Sequence, residues 1–245
     1  MGRSKLLKIE EFNQLPNCVN QDTAMQGHWH KHFGNENPIV LELGCGKGDI
    51  SVGLGRRHPE NNYIGVDLKG VRMWTGAKLA LEEEIGNVAF LRTDIHGIDR
   101  FFAPGEVSGL WITFPDPYPR KKATKNRMIN ERFLKLYLNI LRPGGTIWFK
   151  SDNNSLFDYA LVHFAELNEK EVFQIEVKEL TRDLHGSDLK NDDNGITTDF
   201  ERRFLGIGKK INYMSFTLAP GQHLDKVPAT ERIALDHDET APRGR

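Results

Sequence analysis

Short apolar runs alternate with helical patterns along this chain of 245 residues, starting at residue 38. The runs predict seven strands, at 38–43, 62–68, 87–94, 111–114, 146–153, 173–177 and 213–218. Apolar residues at helical spacing are clearest at 71–85, 133–141 and 156–165. Strands that alternate with helices are typical of βαβ units. The sequence therefore predicts an α/β fold, with a mostly parallel seven-stranded sheet and helices on both faces.

The two ends of the chain lack this alternation. Residues 1–37 are polar, and we interpret them as an irregular N-terminal extension. Residues 219–245 mix both charge signs with Pro and Gly, so we expect a flexible C-terminal tail. A chain of this length can bury one sizeable core. The sequence therefore predicts one domain at 38–218, flanked by these two segments.

The composition restricts the environment and the partners. No apolar run approaches the ~20 residues of a membrane span, and the first residues lack the apolar stretch of a secretory signal. Two cysteines, Cys18 and Cys45, provide no disulfide framework and are typical of a reducing cytoplasm. The net charge is −1, so a nucleic-acid partner would need a local basic patch.

A glycine-rich turn follows the first predicted strand, in LELGCGKGD at 41–49. Gly44, Gly46 and Gly48 allow a tight turn and a close approach of the backbone to a ligand. A dinucleotide fingerprint would need glycine at 49, where this chain has Asp49. Because an acid there would repel a pyrophosphate, the turn disfavours a nicotinamide-dependent oxidoreductase.

Acidic residues stand on or after three successive strands beside this turn. Glu42 suits the cationic methionine amine of S-adenosyl-L-methionine, Asp67 could take both ribose hydroxyls, and Asp94 could receive the adenine amine. Each of them alone could be an ordinary turn former. Their combination with the glycine turn favours S-adenosyl-L-methionine as the cofactor.

A stretch of prolines follows the fourth strand, in WITFPDPYPRK at 111–121. Three prolines prevent immediate continuation as strand or helix and leave Asp116 and Tyr118 on a stiff loop. In open parallel sheets ligands bind just past the carboxyl ends of strands. The loop is also close to the Asn/Asp-Pro-Pro-Tyr motif of amino-methyltransferases, but has one proline between Asp116 and Tyr118 instead of two.

A basic run follows this loop. Between residues 120 and 135 one acid, Glu131, faces seven basic residues: Arg120, Lys121, Lys122, Lys125, Arg127, Arg132 and Lys135. Such a run can be a solvated face, but next to a candidate active-site loop it favours a phosphate-binding surface for RNA.

These motifs together resemble those of bacterial tRNA (guanine-N7)-methyltransferases. The segments LELGCGKGD, YIGVDLK, ITFPDPYPRKK, LRPGGTIWFKSDN and ITTDFERRF stand in the family's order, between about residues 38 and 218. The proline loop and the late Thr-x-Phe-Glu are specific to that family, whereas the glycine turn is shared by class I methyltransferases. The resemblance implies a Rossmann-like class I methyltransferase domain. It also implies a cytoplasmic monomer or homodimer that methylates N7 of guanine 46 in the variable loop of tRNA, forming 7-methylguanosine.

The resemblance also implies roles for individual residues. The contacts to S-adenosyl-L-methionine correspond to Glu42, Gly44, Gly46, Asp67, Asp94 and Asp116. Asp116 corresponds to the central catalytic aspartate. The contacts to guanosine and tRNA correspond to Arg120, Asp152, Thr198, Asp199, Phe200 and Glu201. The chain departs from the family pattern at Arg120, where Lys is usual, at Tyr118, where Trp is commoner, and in the charged tail after Ala219.

The chemistry implied by this resemblance needs alignment rather than a base. N7 of guanine has a lone pair and no proton, so it can attack the sulfonium methyl group directly once the atoms are in line. Asp116 could stabilise the cationic purine that forms, or select guanine by accepting from its N1–H and N2–H. Because N7 lies inside a structured RNA, we expect the target base to be exposed or turned out.

Other functions stay open from the sequence alone. The near match at Asp116 to Tyr118 suggests an amino-methyltransferase acting on a nucleic-acid base. A non-catalytic RNA-binding protein with a methyltransferase-like fold is another alternative. His28, His30 and His32 alternate in HWHKH, but without a nearby cysteine or carboxylate cluster we expect no metal site.

Overall fold

The predicted sheet is present, with eight strands instead of seven. The computed structural model describes residues 3–191 and 193–224. Within them the strands are β1 (Cys18–Asn20), β2 (Ile39–Leu43), β3 (Asn62–Asp67), β4 (Val88–Arg92), β5 (Val107–Thr113), β6 (Leu141–Ser151), β7 (Phe173–Thr181) and β8 (Asn212–Pro220). Their order is β1-β4-β3-β2-β5-β6-β8-β7. All pairs up to β5–β6 are parallel, and β8 lies antiparallel between β6 and β7. The α/β class and the mostly parallel sheet are confirmed.

The helices connect these strands, as the periodicity predicts. Within the described residues the α-helices are α1 (Arg3–Phe12), α2 (Trp29–Phe33), α3 (Asp49–Arg57), α4 (Gly70–Glu82), α5 (Glu131–Ile140), α6 (Asn154–Glu169) and α7 (Asp199–Gly206). The α5 helix shows why the pattern works. Asn130 caps its first turn by accepting from the amide of Arg132 at 3.3 Å, and Phe133, Leu134 and Tyr137 are buried on one stripe.

The N-terminal extension is not irregular, which corrects the interpretation of residues 1–37. The α1 helix packs on α4, and β1 adds an eighth strand by pairing in parallel with β4, Cys18 opposite Phe90. Phe12 and Trp29 are completely buried, and the Trp29 indole donates to the carbonyl of Phe101 at 2.9 Å. With three residues β1 is too short to show a period, so the sequence pattern missed it.

The β5 strand begins four residues before its predicted start, at Val107. Ser108 and Gly109 weaken the strand pattern there. Gly109 is needed because the ring of Trp148 lies 2.5 Å from where its Cβ would be. Trp148 in turn stacks on Trp111 with ring centroids 5.1 Å apart.

Alternation along the strands places two charged side chains inside the α3 face of the sheet. Val40 of β2 packs on this face with Trp111 of β5, whereas Leu41 packs on the opposite face. Glu42 and Lys150 share the parity of Val40 and Trp148 on their strands, and both are buried. The α3 face therefore holds opposite charges beneath the carboxyl ends of β2 and β6.

The C-terminal boundary is only partly described. The β8 strand includes Ala219 and Pro220, which pair with Gln174 and Phe173 of β7, so the first residues of the predicted tail belong to the sheet. Residues 225–245 lie outside the described residues, and the flexibility of the tail stays a prediction, as does the domain division at 37 and 218. No helix in the described ranges has the length and apolar character to cross a bilayer.

Candidate active site

The glycine turn follows β2 and is open on one side. Gly44 and Gly46 have φ of 73° and 57°, a region that glycine enters without a steric penalty. The amides of Gly44 and Cys45 both donate to the carbonyl of Val66, at 2.8 and 3.0 Å, which folds the turn back on β3. A Cβ added at Gly44 or Gly46 would meet no heavy atom within 4 Å. The turn therefore leaves free space beside its backbone.

Glu42 lies at the base of this turn with one carboxylate oxygen unpaired. Its Oε2 accepts from the amide of Ser51 at 2.9 Å and from the Ser51 hydroxyl at 2.7 Å. Its Oε1 is buried without a hydrogen-bond partner among the described residues. Burial raises the pKa of Glu42 to about 7. A buried carboxylate with a free oxygen fits a cationic donor such as the amine of S-adenosyl-L-methionine.

Asp67 connects the end of β3 to the glycine turn. Its Oδ2 accepts from the amide of Gly46 at 3.0 Å, and its Oδ1 accepts from the amide of Lys69 at 2.8 Å. A carboxylate has further lone pairs beyond these two bonds. Asp67 therefore shapes the turn and can still accept from ribose hydroxyls.

Asp94 follows β4 and carries a histidine partner that the sequence analysis missed. Its Oδ1 accepts from the amide of His96 at 2.9 Å and lies 2.7 Å from His96 Nδ1. The hydrogen bond from His96 lowers the pKa of Asp94. The Asp-x-His spacing after a strand was the available signal. Asp94 Oδ2 has no hydrogen-bond partner among the described residues, so it could accept from an exocyclic amine.

The proline loop carries Asp116 on a sharply turned backbone. Phe114 and Tyr118 have φ of 50° and 41°, so the loop turns sharply at both ends of residues 115–117. Burial raises the pKa of Tyr118, and the negative charges of Asp116 and Asp94 raise it further. Asp116 itself is exposed. The charges of the acid after β4 and of the acid after β5 therefore both act on Tyr118.

The basic run divides in the structure. Arg120, Lys121, Lys122 and Lys125 are exposed next to the proline loop. Lys135 pairs with Glu131 at 3.4 Å, and the charge of Arg132 lies near Asp94. Arg127 is buried. The exposed positive surface therefore consists of residues 120–125, which is less than the sequence analysis predicted.

Asp152 and α7 lie at the same end of the sheet as the proline loop. Asp152 follows β6 and accepts from Lys209 Nζ at 2.7 Å. The Lys209 ammonium lies 4.8 Å from the ring centroid of Phe204 on α7, and Phe204 contacts Phe114 with centroids 5.7 Å apart. These contacts link the end of β6, α7 and the first residue of the proline loop.

The first turn of α7 has a buried part and an exposed part. Thr198 and Glu201 form a capping box, and Glu201 is buried against Lys150, at 3.3 Å, and His185, at 2.8 Å. Asp199 pairs with Lys47 of the glycine turn. Phe200 is 48% exposed. Internal bonds thus occupy Thr198 and Glu201, and the exposed ring of Phe200 is the member of the segment most open to a substrate.

The histidines of HWHKH do not converge. The rings of His28 and His30 lie 6.0 Å apart, and burial against Trp29 and its neighbours lowers the pKa of His32. Among residues 3–191 and 193–224, no three His, Cys, Asp or Glu side chains lie together in an arrangement that could hold a metal ion.

A cavity of about 440 Å³ lies elsewhere in the fold. Its lining includes Val40, Tyr63 and Ser108, which stand near the amino ends of their strands. The glycine turn and the proline loop follow the carboxyl ends, where ligands bind in open α/β sheets. The cavity is therefore separate from the candidate site.

Known proteins resemble this chain over most of its length. A family model described as "Putative methyltransferase" matches residues 36–214. A tRNA (guanine-N(7)-)-methyltransferase from Cytophaga hutchinsonii is 40% identical over 224 residues, which cover 90% of this chain and 100% of that protein. A protein of the same name from Bacteroides thetaiotaomicron is 45% identical over 245 residues, covering 96% of this chain and 93% of that one.

A solved structure agrees with the fold. One described as an antibiotic related methyltransferase has a TM-score of 0.60 at 14% identity and covers 84% of this chain and 98% of its own. At that identity the likeness establishes the fold alone, whereas the sequence relatives extend over nearly the whole domain. The chain therefore belongs to the family of tRNA (guanine-N(7)-)-methyltransferases.

Proposed function

We propose that this protein transfers a methyl group from S-adenosyl-L-methionine to N7 of a guanine in tRNA, forming 7-methylguanosine. The observation that carries the proposal is the position of Asp116. It is exposed on a sharply turned loop and is followed by the exposed residues Arg120, Lys121, Lys122 and Lys125. A carboxylate in that position could reach both a methyl donor on the glycine turn and a base held in RNA.

The residues beside the glycine turn fit the methyl donor. Glu42 offers its unpaired buried oxygen to the methionine amine, and Asp67 and Asp94 offer acceptors to the ribose and to the adenine. Gly44 and Gly46 leave the space that the donor would fill. When bound, the sulfonium supplies an electrophilic methyl group.

The transfer needs no general base, because N7 carries a lone pair and no proton. The contribution of the protein is alignment, which can lower a barrier substantially, and electrostatic stabilisation of the purine cation. Asp116 supplies the negative charge for that stabilisation, or selects guanine through N1–H and N2–H. In either role its carboxylate must be fixed relative to the glycine turn.

The RNA would lie across the exposed basic residues 120–125 and α7. Arg120 and its neighbours supply phosphate contacts, and the exposed ring of Phe200 supplies a stacking surface. Asp152 and Asp199 are held by Lys209 and Lys47 at the border of this surface. We propose guanine 46 of the variable loop as the target, in the cytoplasm, with the enzyme a monomer or homodimer.

The decisive experiment incubates the protein with labelled S-adenosyl-L-methionine and unmodified tRNA and identifies the product nucleoside by mass spectrometry. We expect 7-methylguanosine from the wild type and none from Asp116→Ala with unchanged melting temperature. Tyr118→Phe is the matched control, since it keeps the ring in the same loop. Methylation of an amino group on adenine or cytosine, or full activity of Asp116→Ala, would contradict the proposal.

A further inference from the structure

Arg127 belongs to the basic run by sequence but faces the interior. It is 9% exposed, and its guanidinium donates to two carbonyls of the proline loop. Nε lies 2.9 Å from the oxygen of Pro117, and Nη2 lies 3.1 Å from the oxygen of Tyr118. Two parallel donors on adjacent carbonyls use the fork geometry that only arginine provides.

The other side of the guanidinium rests on α6. Its carbon lies 4.1 Å from the ring centroid of Tyr159, and that ring stacks on His163 with centroids 5.2 Å apart. The Tyr159 hydroxyl accepts from Asn130, the residue that caps α5, at 3.2 Å. Arg127 is therefore held between the proline loop and the Tyr159 ring of α6, and it cannot turn outward to a phosphate without leaving both.

The proline loop has few other means of holding its shape. Pro115, Pro117 and Pro119 have no N–H to donate. Tyr118 has a φ of 41°, which a residue with a side chain rarely adopts without support from its surroundings. The carbonyl of Tyr118 is one of the two that Arg127 binds. The bond thus acts at the strained residue, two positions from Asp116.

We propose that Arg127 is a positioning residue for the methyl transfer: its guanidinium fixes the proline loop so that the Asp116 carboxylate keeps its place. The proposal rests on the proposed function and separates Arg127 from the RNA-binding surface. Arg127 touches no reacting atom and acts through the loop. It predicts a loss of turnover without a loss of RNA affinity.

The test compares Arg127→Ala and Arg127→Lys with Lys125→Ala, an exposed member of the same run. For both Arg127 variants we expect kcat to fall roughly 100-fold, as for a misplacement of about 1 Å, with the KM for tRNA and its salt dependence unchanged. Lysine keeps the charge but lacks the fork, so it should not rescue. Lys125→Ala should show the opposite pattern, a raised KM with kcat retained.

Chemical rescue tests the same contact directly. Guanidinium chloride at low millimolar concentration should restore part of the kcat of Arg127→Ala, whereas sodium chloride at equal concentration should not. A raised KM for tRNA with intact kcat in Arg127→Ala, or full activity of Arg127→Lys, would overturn the proposal. If Arg127→Ala does not fold, two variants of Tyr159 replace it. Tyr159→Leu should lower kcat, whereas Tyr159→Phe, which keeps the aromatic ring under the guanidinium, should retain kcat. Equal kcat values in these two variants would also overturn the proposal.

Amide hydrogen exchange, measured on the protein without substrates, tests this proposal separately from the proposed function. The amide of Phe114 donates to the carbonyl of Lys150 at 3.0 Å and reports on the anchoring of the loop. Its hydrogen exchange should be faster in Arg127→Lys than in the wild type. Faster exchange with no 7-methylguanosine from the wild type would refute the function and show only that Arg127 anchors the loop. Unchanged exchange with an active wild type would refute the positioning role alone.

Discussion

Lys150 and Glu201 form an ion pair in which neither side chain reaches solvent. The Lys150 ammonium lies 3.3 Å from both carboxylate oxygens and also donates to the carbonyl of Ile196 at 2.9 Å. Burial lowers the pKa of Lys150, and the charge of Glu201 opposes that shift. The pair therefore ties α7 to β6, next to the strand that ends at the proline loop, since Lys150 lies opposite Thr113 of β5.

Removing one partner should therefore destabilise the protein strongly. We expect Glu201→Ala to lower the free energy of unfolding by about 3–5 kcal/mol, because it leaves the Lys150 ammonium buried without its counter-ion. Asp199→Ala, in the same turn of α7 but at the surface, should cost less than about 1 kcal/mol. Urea denaturation of both variants measures the difference, and equal losses would contradict this account of Glu201.

Glu42 should make stability depend on pH. The pKa of its carboxyl group rises from 4.5 in the unfolded chain to about 7 on folding because of burial, so between these pH values the folded state holds a proton that the unfolded state has released. This contribution is complete below about pH 4.5 and is lost as the pH rises to about 7, for a total of about 3 kcal/mol. Glu42→Gln should remove this slope in denaturation curves between about pH 5 and pH 8. A slope that persists in the variant would assign the effect to other groups.

Whether the cofactor fills the free space at the glycine turn can be tested by comparing Gly44 with Gly34, a glycine of similar backbone conformation outside the turn. Gly44 and Gly34 have φ of 73° and 69°, and a Cβ at either would meet no protein atom within 4 Å. Alanine at either position should cost about 1 kcal/mol of stability from the left-handed backbone. Only Gly44→Ala should weaken the binding of S-adenosyl-L-methionine in calorimetry. Equal affinities in the two variants would place the cofactor away from the turn.

The exposed basic residues should carry the salt dependence of RNA binding. Replacing Lys121 and Lys122 by Glu should raise the KM for tRNA and lower the slope of log affinity against log salt by about 1.5–2, with little change in cofactor affinity. Lys178→Glu, on β7, is the control charge reversal and should leave the slope unchanged. A loss of cofactor binding in the double variant would contradict the assignment of residues 120–125 to RNA.

The sequence predicted those parts of the fold that repeat a local period. The apolar runs of β2 to β6 and the stripes of α4 to α6 are long enough to show their periods, so these elements are confirmed within five residues, the largest difference being the start of β6 at Leu141 instead of 146. The α7 helix was represented only by its motif, because Phe200 in the helix and Ile207 just after it are exposed apolar residues that obscure the apolar stripe. The three residues of β1 have no period to detect.

The side-chain partners of the site could not be predicted in the same way. Lys150 was part of a strand pattern, and its partner Glu201 is 51 residues away. A signal did exist, since alternation puts Lys150 on the same face as Trp148, and a charge on a buried face requires an opposite charge. Arg127 offered no such signal, because its carbonyl partners are backbone atoms that any loop provides.

The parallel pairing of β1 with β4 bears on how the protein can be shortened. Removal of residues 1–37, at the boundary that the sequence suggests, would make β4 an edge strand of the sheet. The backbone of Phe90, Leu91 and Arg92 would then be left without its neighbour on that side. An exposed edge strand of this kind can pair with strands of other molecules, so the truncated protein should aggregate.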